Sequence, residues 1–172
     1  MDKITALIRD IPDFPEPGVV FKDITPVLGD GPAFSRLIDA LVEPHLGKEI
    51  SKVVGIEARG FTLATPVAIH LGAGFIPVRK PGKLPHETLR EDYSLEYGTD
   101  ALEVHKDAVV EGEKVLIIDD VIATGGTAAA SVRLLRGLGA DIVGISVFIE
   151  LAFLNGVELL DGVPLHALVR YD

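Results

Sequence analysis

The chain of 172 residues has no cysteine, no tryptophan and a single methionine, and aromatic residues make up only 6% of it. Without cysteine there is no disulfide framework, no thiol nucleophile and no thiolate metal site. Few aromatics against a hydrophobic content of 48% mean an aliphatic core, which suits an α/β protein better than a β-sandwich or barrel. Long apolar runs are missing too. The richest, Ile142 to Leu154, contains Glu150 and falls short of the ~20 residues a membrane helix requires. No basic-then-apolar leader opens the chain, so a secretory signal is not expected and a soluble cytoplasmic protein is. Positive charge is also in deficit. Sixteen Lys and Arg against 26 Asp and Glu give a net charge of −10, which argues against a nucleic-acid surface. The histidines at 45, 70, 86, 105 and 166 are scattered without ligand spacing, so no direct metal cage is expected.

The cations that exist are concentrated. Arg79, Lys80, Lys83 and Arg90 share one loop-like stretch and Arg59 stands in another. Local fields at a closed site outweigh the total charge, so an anionic substrate stays compatible with an acidic protein. The length fits one domain, 1–172. Alternating strand and helix patterns run from residue 52 onward: Lys52–Ile56 strand, Phe61–Leu71 helix, Phe75–Val78 strand, Val115–Ile118 strand, Thr127–Leu138 helix, Ile142–Ile149 strand, Leu165–Val169 strand. This order implies a mostly parallel central sheet flanked by helices. Ahead of it, Met1 to Arg9 has a helical pattern, the prolines of Ile11–Gly18 exclude a long helix, Val19–Ile24 reads as extended, and Ala33–Leu46 as an amphipathic helix. Leu84–Gly98 reads as an irregular lid, with Ala101–Val104 a short strand pairing near Asp107–Val110, and Leu151–Leu160 as helical.

The densest information lies in Val115–Ala130, Val-Leu-Ile-Ile-Asp-Asp-Val-Ile-Ala-Thr-Gly-Gly-Thr-Ala-Ala-Ala. A buried strand delivers two carboxylates, Asp119 and Asp120, where it must end. A turn with hydroxyls on both sides of Gly125–Gly126 then enters an Ala-rich helix. Converging amides and the helix dipole make such a turn an anion site, and glycine lets the backbone approach a phosphate closely. No Gly-Lys-Ser/Thr follows, and Gly-x-Gly-x-x-Gly is absent, so this is neither a Walker loop nor a Rossmann fingerprint. Acids preceding a phosphate loop suit a ribose phosphate, the carboxylates accepting from two ring hydroxyls. The bland alternative is a strand-turn-helix with an acidic corner. Glu57-Ala-Arg59-Gly60-Phe61 at the end of the preceding strand suits a pyrophosphate clamp, since a guanidinium binds phosphate oxygens bidentately. Arg79-Lys-Pro-Gly-Lys83-Leu-Pro suits a second clamp.

These segments, with Phe14-Pro-Glu-Pro-Gly-Val-Val-Phe-Lys-Asp-Ile-Thr-Pro and Tyr93-Ser-Leu-Glu-Tyr-Gly98, occur in order from about residue 10 to the last strand. The chain thereby resembles the adenine phosphoribosyltransferases, within the type I phosphoribosyltransferase superfamily. The acid-acid-glycine motif marks the superfamily; the N-terminal and Tyr93–Gly98 segments are specific to the adenine enzymes. The resemblance implies a type I phosphoribosyltransferase fold with a small N-terminal hood (about 1–32), a core (about 33–172) and a flexible lid (about 84–98). It implies transfer of phosphoribose from 5-phosphoribosyl-1-pyrophosphate (PRPP) to adenine, giving AMP and pyrophosphate, with Mg²⁺ held mainly by pyrophosphate and water. Asp119 and Asp120 then hold the ribose hydroxyls and orient the ion. Ala123, Thr124, Gly125, Gly126 and Thr127 take the 5′-phosphate, and Arg59, Arg79 and Lys83 face pyrophosphate. Val20 and Lys22 read the purine edge through main-chain groups, while Phe21 and Val121 sandwich it. Glu96 is the lid carboxylate near the base, beside Tyr97. Further implications are a homodimer with some basic side chains acting across it, and a cis peptide before Ala58. Lys22 departs from the arginine frequent in the family. The rival readings are a PRPP-binding regulator and a transferase for another base.

Overall fold

A computed structural model describes residues 2–94 and 99–172. The chain divides into two compact units, Met1–Ala40 and Leu41–Asp172. In the first, helix α1 is only Asp2–Thr5, and strands β1 (Arg9–Pro12) and β2 (Val20–Asp23) pair antiparallel from Arg9↔Asp23 to Pro12↔Val20. The helical pattern of Met1–Arg9 therefore breaks early, because strand pairing claims Arg9 and overrides a weak local propensity. The connection carries Asp13 at φ 57°, Gly18 at φ 87° and a cis Phe14–Pro15 bond, and Gly18 N donates to Asp13 Oδ1 at 2.8 Å. Helix α2 is Thr25–Gly29. Helix α3, Gly31–Val42, starts where Asp30 Oδ1 accepts from Ala33 N at 2.8 Å and buries Ala33, Leu37 and Ile38, a helical spacing.

The second unit is built on a five-stranded parallel sheet, β3 (Lys52–Ile56), β4 (Gly74–Val78), β7 (Lys114–Ile122), β8 (Asp141–Leu151) and β9 (Leu165–Tyr171), in the order β4-β3-β7-β8-β9. Helix α4 (Arg59–Leu71) crosses from β3 to β4 and α5 (Gly126–Gly137) from β7 to β8. The two crossovers run in opposite directions, so the strand order reverses between β3 and β7. That gap is where ligands enter parallel sheets, beyond the carboxyl ends. The apolar runs of β3 and β7 are buried almost throughout, as strands covered on both faces must be. Val54, Ile56, Val115, Ile117, Ile145 and Val147 share one core with α5 and the hairpin described next. On α4's side, Gly55 makes room: a Cβ there would lie 2.8 Å from the Ala64 methyl and 2.9 Å from the Phe75 ring.

The stretch read as irregular contains strand β5 (Thr88–Ser94), paired antiparallel with β6 (Thr99–His105) from Thr88↔His105 to Ser94↔Thr99. Asp107–Val110 forms no strand, the chain turning at 106–107, and β6 pairs backward to β5 instead of forward. The polar run Arg90-Glu-Asp hid this strand, because only one face of a two-stranded ribbon needs apolar residues. Strand β7 continues past both acids, with Val121↔Ile149 and Ile122↔Glu150 still paired. In place of a helix over 151–160, Leu151 ends β8 and two 3₁₀ turns follow, Ala152–Leu154 and Gly156–Leu160, with Asn155 and Asp161 at positive φ. Among the described residues no helix is long and apolar enough to cross a membrane.

Candidate active site

A cavity of about 340 Å³ opens at the β3/β7 reversal, lined by Ile56–Arg59, Lys80, Asp119–Ala128, Ile145 and Val147. It brings together Arg59, Asp119, Asp120, Val121 and the whole turn Ala123–Thr127. The carboxylates lie on the last part of β7. Asp120 is buried and pairs closely with Arg59 Nε, so the cation at the start of α4 is joined to the end of the neighbouring strand. Asp119 Oδ1 accepts from the Asp120 amide at 2.9 Å. Burial, followed by the adjacent Asp120 charge, pushes the Asp119 carboxyl well above the usual range. The pair is short of positive charge. Gly60 permits this closeness, since a Cβ there would stand 2.8 Å from Asp119 Oδ1.

The turn is shaped by glycine in a specific way. Gly125 has φ +82°, and a Cβ on it would collide with the carbonyl of Gly156; one on Gly156 would collide with Ala123 O. Two glycines from separate segments thus let the 3₁₀ turn at 156 lie directly against the loop. Helix α5 begins without a side-chain cap and without an acid in its first turn. Its leading amides therefore keep their donors for an outside anion. Thr124 is exposed, and Thr127 Oγ1 lies 3.4 Å from Tyr93 Oη.

Arg79 and Lys83 do not line this cavity. Both are gathered on Glu57: Lys83 Nζ in a close pair, Arg79 Nε at 3.2 Å, and the Lys80 amide donating at 3.0 Å. Burial pushes the Glu57 carboxyl up, but these donors outweigh it and hold it at about 2. The Glu57–Ala58 peptide is cis, matching the expectation drawn from the resemblance. Lys80, absent from the residues singled out for the site, does reach the cavity wall. Its neighbours Tyr93 and Asp100, and the glycine at 156, were also missed. Only Asn155-Gly156, a turn dipeptide, offered a signal. Glu96 and Tyr97 lie outside the described residues.

In the first unit, Val20, Phe21 and Lys22 sit on β2. Phe21 packs edge-on to Phe14, with ring centroids 5.3 Å apart. Lys22 Nζ is engaged by Asp10 Oδ1 at 2.7 Å, so a salt bridge already occupies its side chain and the main chain is the part suited to recognition. Among the described residues no group of three His, Cys, Asp or Glu could enclose a metal ion. The donor set of the cavity, two adjacent carboxylates and main-chain groups, fits a hard cation such as Mg²⁺ that keeps most of its waters.

Comparison with known proteins agrees with this geometry. A family model for the phosphoribosyl transferase domain matches residues 27–153. The chain is 60% identical to an adenine phosphoribosyltransferase of Thermobifida fusca, over 96% of this chain and 94% of the relative. The crystal structure of the adenine phosphoribosyltransferase from Rhodothermus marinus superposes with a TM-score of 0.94 at 54% identity, covering 99% and 97% of the two chains. That of the Saccharomyces cerevisiae enzyme, complexed with an imino-altritol bisphosphate and adenine, gives 0.93 at 39% identity over 97% of each.

Proposed function

The chain belongs to the adenine phosphoribosyltransferases, and from that premise we propose how its residues transfer the 5-phosphoribosyl group of PRPP to adenine, releasing AMP and pyrophosphate. The observation that carries the reading is one cavity at the β3/β7 reversal holding an acid pair, an uncapped helix start behind a glycine turn, and two cations. Family members depend on PRPP, and each part of that substrate has a counterpart here. The 5′-phosphate sits on the amides of Ala123–Thr127 with the Thr124 and Thr127 hydroxyls. Asp119 and Asp120 accept from the ribose hydroxyls. Arg59 and Lys80 face the pyrophosphate. Breaking the anomeric C–O bond puts positive charge on the sugar ring, as in glycoside hydrolysis, and negative charge on the leaving group. Fixed cations aimed at that charge stabilise the transition state; losing one such donor typically costs ~10²–10³ in turnover.

Mg²⁺ arriving with the pyrophosphate would supply charge neutralisation on the leaving group, and Asp119 and Asp120 would orient it through water. Val20 and Lys22 read the adenine edge by main-chain groups, with Phe21 and Val121 on its faces. Glu96 handles a proton on the purine's five-membered ring, a role worth ~10²–10⁴-fold, with Tyr97 beside it. A Glu96→Gln variant with unchanged turnover removes that role. Arg79 and Lys83 act in a cytoplasmic homodimer, across its interface, and one domain with its N-terminal hood makes up each subunit.

The test offers the purified protein PRPP and Mg²⁺ with adenine, hypoxanthine, guanine, xanthine or orotate, and measures pyrophosphate. Release with adenine alone is expected. Release with another base keeps the transfer and overturns the reading of residues 20–22. PRPP binding without release for any base makes the chain a PRPP-responsive regulator.

A further inference from the structure

We propose that Asp100, together with Tyr93, is a positioning residue for the transfer: the two hold the Lys80 ammonium at the cavity wall, where the pyrophosphate leaving group forms. The inference rests on the transferase reading and adds residues to which that reading gave no role. Lysine has a flexible four-carbon stem, whose rotamer freedom must be given up before its charge can meet a forming anion. Here the stem is already restrained. Lys80 Nζ makes a close ion pair with Asp100 and donates to Tyr93 Oη at 2.9 Å. Tyr93 Oη in turn donates to Asp100 Oδ2 at 3.2 Å. One phenol hydroxyl thus accepts from Lys80 and gives its own proton to the carboxylate.

The holders are fixed in their turn. Tyr93 and Asp100 are direct register partners on β5 and β6, so backbone pairing sets their spacing. Tyr93 is buried within the core that includes α5, and Thr127 Oγ1 reaches its hydroxyl at 3.4 Å. The chain Lys80–Tyr93–Thr127 therefore runs from the pyrophosphate side of the cavity to the first turn of α5. Burial disfavours the Lys80 charge, but the Asp100 and Tyr93 contacts prevail and raise its pKa, keeping it cationic. A pair that merely tied the loop after β4 to the hairpin would need neither the phenol relay nor a lysine lining the cavity.

Steady-state kinetics and equilibrium PRPP binding on wild type, Asp100→Asn, Asp100→Glu, Lys80→Met and the Lys80→Met/Asp100→Asn double variant decide the matter. For Asp100→Asn, kcat/KM for PRPP should fall about tenfold, with KM for adenine unchanged and most of the loss recovered in Asp100→Glu. In the Lys80→Met background the same change should add nothing, the signature of a residue acting through another. Equal losses in both backgrounds, or wild-type kinetics for Asp100→Asn, overturn the proposal. Should Asp100→Asn fail to fold, Tyr93→Phe carries the same comparison. Absence of adenine turnover in the wild type overturns the transferase reading instead, so the two failures are distinguishable.

Discussion

At the scale of single residues, the site depends on atoms that are missing as much as on those present. Gly125 combines a left-handed φ of +82° with direct abutment on Gly156, whereas Gly162, at φ +78°, has open space around it. Both Ala substitutions incur the left-handed penalty of ~1–2 kcal/mol, but only at 125 must backbone move. We therefore expect Gly125→Ala to lose PRPP binding and at least twice the stability lost by Gly162→Ala, as measured by urea titration and calorimetry. The carboxylates differ in sign. Asp119 is raised by burial and by Asp120, so the folded state holds its proton more tightly than the unfolded chain. The stability this contributes is full below the ordinary carboxylate pKa and disappears as pH rises through the raised value. Asp119→Asn should accordingly raise the thermal midpoint of the ligand-free protein at neutral pH, leave it unchanged at strongly acid pH, and depress turnover. Glu57, lowered to about 2 by its cation partners against the pull of burial, behaves oppositely. Its contribution is present above the ordinary value of ~4.3 and is lost as pH falls toward 2, so Glu57→Gln should destabilise at pH 7 and do nothing at the acid end of that window. Thermal scans from pH 2 to 8 read both effects.

At the scale of elements, helix α5 couples the core to the phosphate loop. Ala130 is fully buried and belongs to the core cluster, so Ala130→Leu should cost ~1–3 kcal/mol by overpacking. The shift should also be read in PRPP affinity, because Gly125 and Gly126 move with the helix; unaltered affinity in a destabilised variant would show that the loop is held independently. The elements that were legible in the sequence were those with one strong cause. The aliphatic runs of β3 and β7 could only be strands buried on both faces, and Thr-Gly-Gly-Thr could only be a turn into a helix. Elements with competing causes were not legible. Thr88–Ser94 is polar because one face of its ribbon is solvated, and Met1–Arg9 has a helical pattern that pairing with β2 interrupts. The acids at 119 and 120 resembled a strand end because charge usually marks one, yet the ladder continues through Ile122. For the site, the residue types announced the phosphate loop and acid pair. Lys80, Tyr93 and Asp100 meet only through the hairpin register, which no local pattern encodes.

At the scale of the whole molecule, Arg79 and Lys83 are the informative residues, because both are gathered on Glu57 and neither lines the cavity itself. In the proposed homodimer they serve the other subunit. Light scattering should then give twice the chain mass of 18.3 kDa. Mixing inactive Lys83→Ala and Asp119→Asn subunits after mild dissociation should regain about a quarter of wild-type activity, the statistical yield for a two-fold assembly with shared sites. No regain would mean that each subunit is self-sufficient. The strand-order reversal has a consequence of its own. One stretch of chain, ending at β6, supplies Glu57, Arg59 and Lys80; a later stretch, beginning at β7, supplies the acids, the glycine turn and α5. A cut at 106–110 should therefore leave each fragment with part of the cavity lining and no turnover, and AMP formed on mixing the two would report their reunion.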